Sequence, residues 1–444
     1  MKAREVVLLV VIIAAGVLLY YGQTGKAGFH LNFGDGPIMG DRGYSYTESL
    51  TVDAPIPARL KVINAHGSVE VQGADREGIT ITFEKTVRRR SEKEAKEVAD
   101  ALKAVIVKNA GEILLTTNRD EFPRKNFETS FRLTIPLHMD VSVDNPYGDV
   151  KAGRIKNLRI DSPHGRILAS DIEGEAVLAN SYEDLEVRNV EAGCRIDASH
   201  GEVRIYDVRG EVNVECPYGS VEAEGVGLGF TVVGPHSEII GRRIQGAADI
   251  QNSYEDITLR DAAAVTIRGQ HSGVDLEKIR GDVQIMNSYG RVIIAGLSGR
   301  LFIEGKSLEV SGKSLTSPEI RISSSYEDVG LVDFSGPATV TLSHGACSLQ
   351  PRSLMNSPID VRSEYGEIRL LWPSGESATL EARSKGGNIE WKLPGSPALR
   401  KENGETVVKA FPGAAGEPAV YLSTSYADIY LEERTAESRG EYPR

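Results

Sequence analysis

The sequence predicts an all-β fold: a β-solenoid of about 18-residue units, with a small α+β cap before it and one apolar N-terminal membrane helix. Three observations predict it. A short phrase returns at nearly fixed spacing, the residues between its copies alternate apolar and polar, and turn-forming residues gather at each copy.

The phrase is first regular at Asn145-Pro146-Tyr147-Gly148-Asp149, then Ser162-Pro163-His164-Gly165, Asn180-Ser181-Tyr182-Glu183-Asp184 and Ser199-His200-Gly201-Glu202. Its landmark ring continues at Tyr218, His236, Tyr254, His271 and Tyr289, at intervals of 17 or 18 residues. After a degenerate unit near Ser307-Leu308 it resumes at Tyr326, His344 and Tyr365, and Ser425-Tyr426-Ala427-Asp428 closes the series. Alternation such as Val203-Arg204-Ile205 and Val212-Asn213-Val214 marks strands with one buried face, two per unit. Gly, Asn, Ser, Pro and Asp collect at the landmark because the chain turns there, often with a positive φ. No unit can bury its apolar face alone, so each must cover its neighbour.

The landmark alternates Tyr and His from Tyr147 to Tyr289, a super-period of about 36 residues. Two geometries fit. A coil of 18 residues stacks Tyr and His alternately in one column, whereas a coil of 36 puts Tyr on one side and His on the other. The shorter coil is preferred, with neighbouring coils about 4.8 Å apart.

Composition agrees with an array. Forty-six Gly beside two Trp and five Met describe many turns and small, regular side chains. The net charge of −12 argues against a nucleic-acid partner, since phosphate binding needs clustered Lys and Arg. Cys194, Cys216 and Cys347 are too few for a disulfide framework, fall at different phases of the repeat and have no metal-ligand spacing, so they read as small buried residues.

Residues 1–22 form the targeting segment: Lys2 and Arg4 precede an apolar run from Val6 to Leu19. The charge pattern keeps the N-terminus in the cytoplasm and sends the bulk of the chain outside the cell membrane, to periplasm or cell surface. An uncleaved single-pass anchor is preferred over secretion after signal cleavage, because Gly25-Lys26-Ala27 is a poor cleavage site. A linker at 23–43 leads to a strand-helix-strand cap at 44–143. The helix begins at Ser91, which forms a capping box with Glu94, and an isolated copy of the phrase stands at Ala65-His66-Gly67-Ser68. The regular solenoid occupies 144–371. Irregular coils and a cap follow at 372–431, including a loop from Pro394 to Pro418, and the polar tail 432–444 is expected to be disordered.

These phrases, their order and the Ser425–Ile429 ending resemble the bacterial putative-adhesin family of β-strand-repeat domains, over about residues 45 to 432. The resemblance implies an extracytoplasmic, right-handed β-helix-like module attached to the envelope. It implies no catalytic residue, and the strict Tyr/His alternation departs from the family's usual small-residue turn.

The recurrent His164, His200, His236, His271 and His344 invite a metal reading, but a metal centre needs three or four ligands converging within about 2–2.5 Å of one point. An array gives a line instead, so turn packing is preferred to metal binding or pH sensing. Asp149, Asp184, Asp256 and Asp328 are read as acceptors for backbone N–H groups within their turns, in preference to a calcium column. No nucleophile elbow, phosphate loop, paired-Cys motif or dinucleotide fingerprint is present, so neither catalytic residues, cofactor nor metal is expected. The expected role is a non-enzymatic binding scaffold that shows its Tyr/His ladder to a glycan, cell-wall or protein ligand. The alternative is a structural or regulatory envelope component, a spacer or stress-associated sensor. A polysaccharide-active β-helix enzyme ranks third, because long insertions that build a groove are lacking between residues 147 and 289.

Overall fold

The computed structural model describes residues 42–355, 357–410 and 419–434. The chain winds into a β-solenoid of about 13 turns at 18-residue spacing. Each turn holds two short strands, as in Asn157–Asp161 and Ile167–Ile172. Each strand pairs in parallel with its equivalent one turn on: Leu158 lies beside Ala176, Ala176 beside Cys194, and Cys194 beside Val212. The coil is therefore the shorter of the two lengths open to the sequence.

Alternation within the strands decides what is inside. Leu158, Ile160, Ile167 and Ala169 point inward and are buried, while Arg159 and Asp161 face solvent. Because register is kept from coil to coil, inward residues form continuous rows, and the core is one column rather than a ball. Cys194 and Cys347 each take a place in such a row. Burial pushes the Cys194 thiol up to about 12 and raises those of Cys216 and Cys347, so all three act as small apolar residues and not as nucleophiles.

Two corners close each coil. At the ring corner the first residue of the phrase turns inward: Asn145, Ser162, Asn180, Asn252, Asn287 and Ser324 are all buried. Asn180 shows its use. Its Nδ2 donates to the Gly165 carbonyl at 2.7 Å, and its Oδ1 accepts the Tyr182 and Glu183 N–H groups at 3.0 and 2.9 Å. One amide thus clasps its own turn and ties it to the preceding coil. The opposite corner carries a feature the sequence does not announce. Arg154, Asp171, Asn189, Asp207, Arg243, Asp261 and Lys278 all sit there with φ between 53° and 58°, each before the last inward residue of its coil. Asp and Asn tolerate this left-handed backbone best; Arg and Lys accept it at a cost of about 1–2 kcal/mol.

The ends depart from chain order. The strands Arg59–Ile63 and Val69–Ala74, which flank the isolated phrase, form a true coil. It lies between the coil of Asp140–Asp144 and Val150–Ile155 and the pair Ile113–Thr117 and Phe127–Pro136. The other end repeats the device: Val420–Thr424 and Ile429–Glu433 insert between the coil at 359–372 and the later-placed strands Leu380–Ser384 and Ile389–Lys392. Beyond each inserted coil the pairing turns antiparallel. Ile79–Arg89 lies on Phe127–Pro136 and carries Arg42–Val52 in turn, and Glu405–Ala410 lies on Leu380–Ser384. The helix Glu92–Ala101, with Ser91 accepting the Glu94 N–H, buries Ala95 and Ala99 against the first of these sheets. Antiparallel strands thereby cover the outer parallel edges at the N-terminal end and that of Leu380–Ser384 at the other, while Ile389–Lys392 pairs only with Ile429–Glu433 among the described residues; such cover hinders end-to-end pairing of rods.

Several expectations need correction. The loop expected from Pro394 to Pro418 contains a hairpin, Ala398–Glu402 with Glu405–Ala410, although residues 411–418 lie outside the described residues. Arg42 and Gly43, assigned to the linker, already belong to the first strand, and Glu432 and Glu433, assigned to the tail, to the last. The expected membrane segment at 1–22 lies outside the described residues, as does the tail from 435. Among the described residues no helix is long and apolar enough to cross a membrane.

The Asn clasp makes a graded prediction. Asn180→Ala removes three hydrogen bonds and should lower stability by about 2–4 kcal/mol. Asn287→Ala should cost clearly less, since Asn287 Nδ2 bonds the Ser272 carbonyl but its buried Oδ1 has no partner. Denaturant midpoints, with amide exchange at Tyr182 and Glu183, measure both; equal losses would contradict the assigned clasp.

Candidate functional site

All thirteen ring residues singled out in the sequence fall on one outward column at the ring corner. Tyr147, His164, Tyr182, His200, Tyr218, His236, Tyr254, His271 and Tyr289 stack face to face without interruption, and Tyr326, His344, Tyr365 and Tyr426 form a second stack. Neighbouring centroids lie 4.6–5.7 Å apart, and interplanar angles do not exceed 20°. His66 extends the first stack by one ring, at 4.6 Å from Tyr147. The signal for it was the isolated phrase at 65–68. At the far end Tyr426 follows Tyr365 although 61 residues separate them, because the last coil is inserted out of order.

The rings stand out from the rod. The stacked Tyr are 47–58% exposed and the repeated His are exposed as well. Within each stack the faces of the inner rings are covered by their neighbours, so solvent meets mainly the edges of those rings. Stacked aromatic pairs contribute about 0.5–1.5 kcal/mol each beyond area burial, so the column also stiffens the corner.

The carboxylates two residues after the rings act between coils. Asp149 Oδ1 accepts the Arg166 N–H at 3.0 Å, Asp184 the Glu202 N–H at 3.2 Å, and Asp328 the Ala346 N–H at 2.7 Å. The expectation of bonds within the turn is corrected for these three: each accepts an N–H group of the following coil. Among the described residues no group of three His, Cys, Asp or Glu side chains is placed to hold a metal ion. On the opposite corner, Gly225 and Gly227 open a shallow polar depression of about 880 Å³. Its charges are already paired, Arg243 with Glu224 at 2.8 Å and Arg280 with Asp261 at 2.9 Å.

Electrostatics distinguish the ends of the column. Glu364 beside it, with burial and the neighbouring Tyr426, holds the Tyr365 phenol above its ordinary value. Partial burial, aided by Arg119, depresses the His66 imidazole below its ordinary 6.5. A folded state that favours neutral imidazole gains stability from His66 above the unfolded value, and loses it as pH falls through the folded one. Proton NMR should place the His66 midpoint below 6.5, and His66→Gln should remove the part of acid destabilisation local to the 59–74 coil. A midpoint at or above 6.5 would contradict this placement.

No family model and no curated protein matches the sequence. Among solved structures, a putative cell adhesion protein from Clostridium sporogenes is similar, at 9% identity over 88% of this chain and all of that one. The TM-score of that superposition is 0.17, too low to carry an argument about this chain.

Proposed function

We propose that the chain is a non-enzymatic binding scaffold of the cell envelope, an adhesin-like rod that presents its ring column to an extended glycan or cell-wall polymer. The observation that supports it is the column itself: a file of half-exposed rings along the solenoid, in two stacks that meet at Ser307. Phenol hydroxyls donate and accept hydrogen bonds and imidazoles do the same. A polymer of regular repeat lying along the axis meets Tyr and His in alternation, the same group at every second coil within a stack, so weak contacts add along its length. Solvation of the rod by its negative charge suits an extracytoplasmic setting, with the apolar segment at 1–22 as the anchor.

A second reading, a spacer that binds through neither face nor edge, draws on one specific feature: ring faces are spent on one another, as packing alone would require. The two readings differ in what the rings do once the rod is folded. Replacing Tyr182, Tyr218 and Tyr254 together by Ala should leave the β circular dichroism intact while lowering binding on a glycan array or isolated cell wall at least tenfold. A variant that melts earlier but binds as before assigns the rings to packing and overturns the binding reading.

A further inference from the structure

We infer that a shallow depression on the flank of the ring column, beside His236, Tyr254 and His271, seats one neutral, all-equatorial sugar ring of the glycan. The inference deepens the reading above and rests on it. The depression has a volume of about 450 Å³, with Val233, Gln251 and Arg268 along one side and Pro235, Ser253 and Gln270 along the other. Small-ligand sites span about 300–1,000 Å³. The second side borders the column, because Pro235, Ser253 and Gln270 immediately precede the stacked His236, Tyr254 and His271 in the chain. A polymer laid along the rings therefore passes over it.

Register gives the site its charge. The outward residues three before each ring pair from coil to coil into the row Glu215, Val233, Gln251, Arg268, Met286 and Glu304. An acid closes the row at each end, and between the acids the only charge is Arg268, which Asp249 holds at 2.7 Å. Glu215 stands one coil, about 4.8 Å, from Val233. That is well inside the screening length of about 8–10 Å, so an anionic sugar is repelled and a neutral one is not. The polar groups that remain are free: the amides of Gln251 and Gln270 are exposed and form no hydrogen bond among the described residues. Each offers donors and an acceptor, and a sugar hydroxyl can meet either. Val233, 37% exposed, and Pro235 add an apolar patch. A pyranose whose substituents are all equatorial has axial C–H groups on its faces and hydroxyls around its rim. One face settles on Val233 and Pro235 while the rim meets the two amides. An extended peptide fits less well, since the strands beneath are paired on both edges and leave it no ladder to join.

Gln251→Ala with Gln270→Ala alters only outward side chains, so the double variant should fold and keep its melting midpoint. Calorimetry with a neutral β-gluco-oligosaccharide should show it binding at least tenfold more weakly than the wild type. Gln284→Ala makes the same change at an exposed position of that face outside the depression, and should leave binding unaltered. A β-glucuronate oligosaccharide should bind the wild type at least tenfold more weakly than the neutral sugar does. Unaltered binding by the folded double variant, where replacing Tyr182, Tyr218 and Tyr254 does weaken it, overturns the seat and leaves the scaffold reading standing. A uronate held as tightly as the neutral sugar overturns the neutral assignment, and absence of heat with the neutral sugar overturns the seat. Failure of the full chain to bind any glycan on an array counts against both readings.

Discussion

Backbone hydrogen bonding between successive coils, in parallel and in register, is the interaction on which the rest depends. Because each residue lies beside its equivalent about one unit later, any property of the repeat is copied along the axis. An inward Val becomes a core row, a buried Asn becomes a ladder of clasped turns, and an outward Tyr or His becomes a stack. Side chains that would be unremarkable singly acquire a role through registration alone. A one-residue slip would exchange the inner and outer faces of a whole strand, so the apolar rows guard the register and the register builds the ring column.

The same constraint sets the cost of the design at the ends, where the last coil has no neighbour. Both ends answer it in a related way: a strand pair is inserted one coil inward, and antiparallel strands are laid over the outermost strands, over Leu380–Ser384 alone at the C-terminal end among the described residues. Capping with antiparallel strands breaks the propagation that would otherwise let one rod extend the next. The buried Lys85 belongs to this cap, with its ammonium on Glu48 at 2.5 Å and on the Ala99 carbonyl at 2.8 Å. It pins the helix to the sheet it covers.

Much of this was legible because a repeat makes many copies of one statement. The Tyr and His positions, the two strands per unit and the inward Val and Ile can each be read a dozen times over. What was not legible occurs once or leaves no compositional mark. The place of His66 in the column depends on a coil that pairs with strands some 80 residues later in the chain. Arg154 and Lys278 carry left-handed backbone without the Gly or Asn that would advertise it. The hairpin at 398–410 is short and polar, and its strand character comes from the edge it covers. Ser307 was visible as a degenerate unit, but a missing ring acquires meaning only when its neighbours are known to stack.

The central claim is that one 18-residue unit is one coil, so that the rings share a single column. Spin labels on exposed Arg159→Cys and Gln284→Cys, in a background lacking the three native thiols, test it directly by pulsed electron resonance. Seven parallel pairings link these positions. A rise of about 4.8 Å per coil predicts a separation near 34 Å, whereas about 17 Å would mean two units per coil and would contradict the single column.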